Sequence, residues 1–64
     1  MSNRYIIYCD LVGIWVRGVT EDKKVLYTTR KEDAMRYETI SKAEDVIELL
    51  DPVWHMHMKV IKED

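Results

Sequence analysis

The chain has 64 residues, of which 47% are hydrophobic and 34% are charged, a balance typical of a folded domain and not of a disordered one. Its net charge of −2, with no long run of either sign, argues against a strongly electrostatic nucleic-acid binder. A single cysteine excludes an internal disulfide, and no apolar stretch approaches the roughly 20 residues that span a bilayer.

These properties predict one α+β domain over residues 1–64, near the lower size limit for a core without a disulfide or a metal. Self-association is the remaining route to extra stability, so we expect a homo-oligomer, with a dimer favoured. The start MSNRYIIYCD lacks the apolar region and cleavage site of a signal peptide, so we expect a cytoplasmic protein without membrane contact.

The first half of the chain predicts a three-stranded antiparallel meander. Its strands are YIIYC, IWVRGVT and VLYTT, at residues 5–9, 14–20 and 25–29, and they are rich in β-branched and aromatic residues. The intervening DLVG and EDKK are short enough for hairpin turns.

Two helices are predicted next, each from a capping box, in which a Thr or Ser precedes a Glu by three residues. Thr29 and Glu32 form the first box and predict a short helix through about Arg36. Ser41 and Glu44 form the second box. The helix that follows has an apolar stripe at helical spacing, formed by Ala43, Val46, Ile47 and Leu50.

Asp51-Pro52 is predicted to end this helix, because proline lacks an amide donor and restricts the residue before it. From Val53 the residues alternate, which predicts a fourth strand. Its core side would carry Trp54, Met56, Met58 and Val60, and its solvent side His55, His57, Lys59 and Ile61. The predicted order is therefore βββααβ, a two-layer sandwich of helices on one sheet.

The two histidines of this strand are the first candidates for a metal site. His55 and His57 would lie roughly 7 Å apart on one face, but a tetrahedral site needs further ligands. Cys9 and Asp10 are the only tempting candidates, and nothing in the sequence brings them close. We therefore predict a solvent-facing or rim histidine pair without a metal, core methionines, and a buried structural thiol at Cys9.

The sequence offers little to catalysis. It contains no GxGxxG, Walker-type, GxSxG or HExxH motif, and the separated Gly13 and Gly18 cannot form a phosphate cradle. We predict no enzymatic activity, no catalytic residue and no cofactor.

The meander itself is the most informative feature, because both of its faces are apolar. This follows if Asp10 opposes Gly13 and Glu21 opposes Lys24, which places Val19 opposite Leu26. One main helix covers one face, so the other would be a partner or dimer interface. We predict that this interface contains Ile6, Tyr8, Trp15, Arg17, Val19 and Leu26. The alternative is that a register shift or the tail buries this face.

A second alternative is a small nucleic-acid-binding module. Basic residues alternate with aromatic ones in the first half of the chain, and such a sheet can stack bases and neutralise phosphates. The acidic second half weakens this reading, so a protein partner is favoured over nucleic acid.

The whole chain resembles a class of small phage- and prophage-encoded accessory proteins. The matching pieces are Tyr27-Thr28, Asp33-Ala34, Tyr37 and the helix over residues 41–50. The resemblance implies a protein that binds host proteins, including components of antiviral defence, and transfers no functional residue. We therefore expect a non-enzymatic inhibitor, encoded by a phage, that sterically occupies the surface of a host protein in the host cytoplasm.

Overall fold

Four antiparallel strands form one sheet in the computed structural model, which describes residues 4–63. The strands are β1 (Arg4–Cys9), β2 (Ile14–Val19), β3 (Val25–Thr28) and β4 (Met58–Glu63), in the spatial order β3-β2-β1-β4. A 3₁₀ helix (Lys31–Asp33), helix α1 (Ile40–Ile47) and helix α2 (Pro52–His55) lie between β3 and β4. The predicted α+β class with an antiparallel sheet is confirmed. None of these helices has the length and apolar character needed to cross a membrane.

The β1–β2 hairpin has the predicted alignment. Tyr8 pairs with Trp15 and Cys9 with Ile14. The Gly13 amide donates to the Cys9 carbonyl at 2.9 Å. Gly13 has a φ of 70°, a conformation that favours glycine, so this residue determines how tightly the turn closes.

The β2–β3 pairing departs from the predicted alignment. Thr20 and not Glu21 closes the loop with Lys24, and Lys23 adopts the left-handed conformation with a φ of 63°. A bulge between Val16 and Gly18 shifts the register again. Val19 consequently pairs with Val25 and not with Leu26.

Helix α1 covers one side of the sheet, which we call the α1 face. Its cap is Thr39, whose Oγ1 accepts from the Lys42 amide at 3.1 Å, so the predicted start at Ser41 is two residues late. Ala43, Val46 and Ile47 of the predicted apolar stripe lie on α1, where Ala43 and Val46 are buried and Ile47 packs beside them. Leu50 also packs against this cluster but follows the helix, so the predicted helix end at Asp51-Pro52 is wrong, because α1 ends at Ile47. The stripe contacts the side chains of the α1 face, namely Ile7, Cys9, Val16 and Met58.

The predicted helix from Thr29 is replaced by the short 3₁₀ helix, which has no side-chain cap. The Thr28 hydroxyl accepts from the Arg30 amide at 3.2 Å instead. From here segment 30–37 crosses the side of the sheet opposite α1, which we call the opposite face. Lys31 Nζ lies 5.8 Å from the centre of the Trp15 ring.

Arg36 fixes this segment to β4. Its guanidinium donates to both carboxylate oxygens of Glu63, at 2.8 and 3.2 Å, and to the carbonyls of Glu32 and Ala34, at 2.9 and 2.7 Å. Charge-assisted, bidentate bonds of this kind are directional and strong. The segment is therefore held across the sheet by one side chain.

The end of segment 30–37 also lies between β1 and β2. Tyr37 and Tyr5 exchange two backbone hydrogen bonds of 2.8 Å, and the Met35 amide donates to the Val16 carbonyl at 2.9 Å. Ile6 is fully buried although it does not belong to the α1 core cluster. The prediction that Ile6 is part of an exposed interface is therefore wrong, because the chain covers part of its own second face.

The C-terminal part is helical where a strand was predicted. Pro52 occupies the first turn of α2, and β4 begins only at Met58. Trp54 and Met56 are 38% and 70% exposed, so their predicted core positions are wrong. The alternation holds from Met58 onward, where Met58 and Val60 face α1.

Replacing Ile6 with Ala should lower the free energy of unfolding by about 2–5 kcal/mol, because it leaves a cavity in a fully buried site. Val19→Ala is the control and should cost about 1 kcal/mol or less, since Val19 is 36% exposed. Urea denaturation measures both values. Equal small losses would show that Ile6 is not covered.

The Arg36 contact predicts a pH dependence. The hydrogen bond from Arg36 lowers the pKa of Glu63 below its ordinary value of 4.5. A carboxyl group with a lowered pKa stabilises the fold above that value, and this contribution is lost as the pH falls through the folded pKa. Glu63→Gln should therefore be less stable than wild type at neutral pH, and the difference should narrow in acid.

Urea denaturation across this pH range measures the difference in stability. Glu21→Gln, in the exposed β2–β3 turn, is the matched control and should follow the wild type. If the difference in unfolding free energy between wild type and Glu63→Gln stays constant down to acid pH, the ion pair between Arg36 and Glu63 is contradicted.

Candidate protein-binding surface

The predicted interface residues do not form one surface. Ile6 is buried, and Val19 lies beside Val25, which packs against the α1 core cluster. Tyr8, Trp15 and Leu26 are half-buried. Arg17 is exposed in the bulge between Val16 and Gly18.

Tyr8 and Trp15 remain together on the opposite face. Their ring centroids are 4.5 Å apart, with the planes tilted by 46°, a favourable aromatic arrangement. Lys31 lies over the Trp15 ring, so this ring already has a cationic partner from its own chain. An aromatic base would have to displace Lys31 to stack there.

A different surface is more exposed and more apolar. Of the ten large apolar side chains exposed in residues 4–63, six lie in the β1–β2 turn, on β3 and around α2. We call these six the Trp54 surface: Leu11, Val12, Tyr27, Val53, Trp54 and Met56. Val12, Tyr27 and Trp54 line one cavity, which shows that these three distant parts of the chain meet.

The cavity has a volume of about 100 Å³ and is lined by Cys9, Val12, Ile14, Tyr27 and Trp54. Sites for cofactors and drug-sized ligands are typically about 300–1,000 Å³, whereas an apolar cavity of about 150 Å³ holds benzene. The cavity is therefore of a size for one apolar side chain. No charged residue lines it.

Local hydrogen bonds hold α2 in position at this surface. His55 Nε2 lies 2.9 Å from the Leu50 carbonyl, and because a carbonyl only accepts, Nε2 carries the proton. The Trp54 amide donates to the Asp51 carbonyl, and the His57 amide to the Trp54 carbonyl. These hydrogen bonds thus fix both ends of the short helix that carries Trp54.

The two histidines do not form the predicted pair on a strand. His55 belongs to α2 and contacts Leu50, whereas His57 follows α2 and its Nδ1 lies 3.4 Å from Asp10 Oδ1. Both side chains are half-buried, which agrees with a rim position and not with full solvent exposure. Among residues 4–63, no three His, Cys, Asp or Glu side chains group as metal ligands would.

Cys9 is buried, as predicted, and is 2% exposed. It lines the cavity together with Tyr27. Partial desolvation of its side chain, and secondarily the neighbouring Cys9, raises the pKa of the Tyr27 phenol. Tyr27 therefore stays neutral at physiological pH and offers its hydroxyl as a hydrogen-bonding group.

The sequence did contain a signal for the Trp54 surface. Proline is common at the first position of a helix, so Asp51-Pro52 marks a helix start as well as a helix end. The alternation of residues 54–60 favoured a strand and concealed that signal.

Comparisons with known proteins give no relative to support or oppose this surface. No protein-family model, curated protein or solved structure matches this chain.

The cavity predicts how the Cys9 thiol responds to a thiol reagent. Trp54→Ala should speed its labelling in the folded protein, because Trp54 forms part of the wall that separates Cys9 from water. Met35→Ala removes an exposed apolar side chain outside that wall and should leave the rate unchanged. The measurement is the rate of thiol labelling, followed by mass spectrometry at constant pH without denaturant. Equal rates for wild type and Trp54→Ala would contradict the cavity.

Proposed function

We propose that this chain is a non-enzymatic protein-binding domain whose Trp54 surface receives one apolar side chain of a partner protein. The observation that carries the proposal is the small apolar cavity with Val12, Tyr27 and Trp54 around it. Tryptophan and tyrosine are enriched at binding hot spots, which are buried anchors surrounded by residues that exclude water.

Exposed apolar side chains near Trp54 in the chain suit the same role. Val53 and Met56, which are 67% and 70% exposed, lie one and two residues from Trp54. Methionine is flexible and adapts to irregular contact surfaces, while the aromatic rings provide rigid area. Together they offer a rigid anchor site with an adaptable border.

The chemistry of the cavity supports binding without catalysis. Its ionisable groups are the Cys9 thiol and the Tyr27 phenol, and neither a histidine nor a carboxylate lines it. A nucleophilic cysteine needs a base in contact with it. The proposed action is therefore steric occupation of the partner's surface.

The resemblance to small phage- and prophage-encoded proteins gives the proposal its context. On this reading the partner is a host protein in the host cytoplasm, and a component of antiviral defence is one candidate. The rival function, nucleic-acid binding, would use Tyr8 and Trp15 on the opposite face, where Lys31 supplies a positive charge.

Matched tryptophan variants separate the two surfaces. Trp54→Ala should weaken binding to the partner at least tenfold, about the loss expected from a hot spot, whereas Trp15→Ala should retain it. Proteins captured from host lysate by wild type, Trp54→Ala and Trp15→Ala are compared by quantitative mass spectrometry. Calorimetry with the purified partner then gives the affinities.

Val12→Phe provides a second test that does not remove the tryptophan. The larger ring should fill the cavity and block the partner's side chain while leaving the circular dichroism unchanged. A partner lost with Trp15→Ala and kept with Trp54→Ala would contradict the proposal. Oligonucleotide binding that falls steeply with salt and is lost with Trp15→Ala would favour the rival function.

A further inference from the structure

Strand β4 lies at the edge of the sheet and pairs on one side only. Its ladder with β1 covers six residue pairs, from Arg4 with Glu63 to Cys9 with Met58. The Asp10 amide donates to the His57 carbonyl at 3.0 Å, which sets the alternation of the backbone groups. The amides and carbonyls of Met58, Val60 and Lys62 therefore point away from β1.

The hydrogen bonds of Tyr5 independently show the same alternation of inward and outward backbone groups along β4. Tyr5 is opposite Lys62 in the ladder but exchanges its backbone hydrogen bonds with Tyr37 on its other side. Tyr5 and Lys62 are thus a pair without mutual hydrogen bonds, and the Lys62 backbone groups are directed outward. Unpaired strand edges of this kind are templates for pairing with another chain.

We propose that two copies of this chain pair through their β4 edges, antiparallel and centred on Ile61, to form one continuous eight-stranded sheet. The centre follows from the charges on the strand. Centring the pair on Lys59 or on Lys62 sets two identical ammonium groups opposite each other, and centring it on Val60 sets Lys59 opposite Ile61. Centring it on Ile61 sets Lys59 opposite Glu63 at two symmetric places.

In this register the two Ile61 side chains meet at the two-fold axis on the opposite face. Val60 and Lys62 form the hydrogen-bonded pairs, and both have outward backbone groups. Every charged residue named in this contact then faces an opposite charge or an apolar neighbour. Lysines on an edge strand commonly prevent pairing, but here the register pairs Lys59 with a carboxylate.

The Glu63 side chain is held in place more firmly than the Lys59 side chain. Arg36 holds both carboxylate oxygens of Glu63, whose side chain is 24% exposed. The Lys59 side chain is 55% exposed and has only long contacts, 3.9 Å to Asp10 Oδ2 and 3.4 Å to the Met56 carbonyl. A fixed acceptor and a mobile donor reduce the ordering needed when the pair forms.

The α1 side of the same edge adds a further complementary charge. A groove of about 450 Å³ runs between α1 and β4, and its charged lining residues are Glu44, Glu48 and Lys59, with the acidic residues in excess. Pairing centred on Ile61 places Lys62 of the other copy opposite Val60, which lines this groove. An acidic border therefore meets an incoming ammonium group on the second face of the joined sheet.

Charge reversal tests the register directly. Lys59→Glu and Glu63→Lys should each weaken self-association about tenfold or more, because each sets like charges opposite one another twice. An equimolar mixture of the two variants should restore wild-type association, since each variant then supplies what the other lacks. Analytical ultracentrifugation over a concentration series, at about 50 mM salt to limit screening, measures the dimer dissociation constant.

Glu63→Lys also loses its contact with Arg36, so circular dichroism must first show that the variant folds. Val60→Pro is the second variant. It removes an outward amide that the β1 ladder does not use, and should give a folded monomer. A wild type that is monomeric at millimolar concentration, single variants that dimerise like wild type, or a mixture of folded variants without recovery would each overturn the proposal.

Trp54→Ala separates this inference from the proposed function. It should dimerise like wild type whatever its effect on partner binding. A Trp54→Ala protein that is folded and monomeric would move the self-contact to the Trp54 surface and overturn pairing through β4.

Discussion

The backbone pair between Tyr5 and Tyr37, together with the Arg36 guanidinium on Glu63, is the constraint on which the arrangement of this protein depends. It holds segment 30–37 across a sheet that is apolar on both sides. Without that segment, Ile6 would face water on a domain too small to supply a second helical layer. A single arginine, bonded to two carbonyls and one carboxylate, thus substitutes for a layer of secondary structure.

Because the second face is partly covered from within, the exposed apolar area lies elsewhere. It gathers at the end of the sheet where the β1–β2 turn, β3 and α2 meet. Helix α2, which carries Trp54 at this end, has only four residues. The cavity lies between Trp54 on α2 and Tyr27 on β3.

The parts that could be predicted from the sequence are those determined by local chemistry. Gly13 predicted a tight turn, and the turn fixed the β1–β2 register. The apolar residues that pack on the sheet were predicted because their spacing is unambiguous, although Leu50 follows α1, which ends at Ile47. The helix start was misplaced because the Ser41–Glu44 capping box favours Ser41, whereas Thr39, which has Lys42 three residues later and no such box, is the cap.

The parts that could not be predicted depend on two local changes in the pairing of β2 with β3. Lys23 in a left-handed conformation lengthens the β2–β3 loop by one residue, and the bulge at Arg17 shifts the strand again. Each change moves Val19 relative to its neighbours. The loop change at Lys23 has no glycine to indicate it, whereas Gly18 lies beside the bulge and is a residue that can mark one. The interface predicted around Trp15 depended on that register for Val19 and Arg17, while segment 30–37 covers Ile6 independently of it.

The pairing of β1 with β4 has a consequence for how the chain reaches this structure. The ladder joins the earliest described strand to the latest, so it closes a loop of some fifty residues at a substantial entropic cost. Until Met58 to Glu63 have left the ribosome, the central strand lacks a neighbour along one whole side. Assembly is therefore expected to wait for these residues and to be all-or-none.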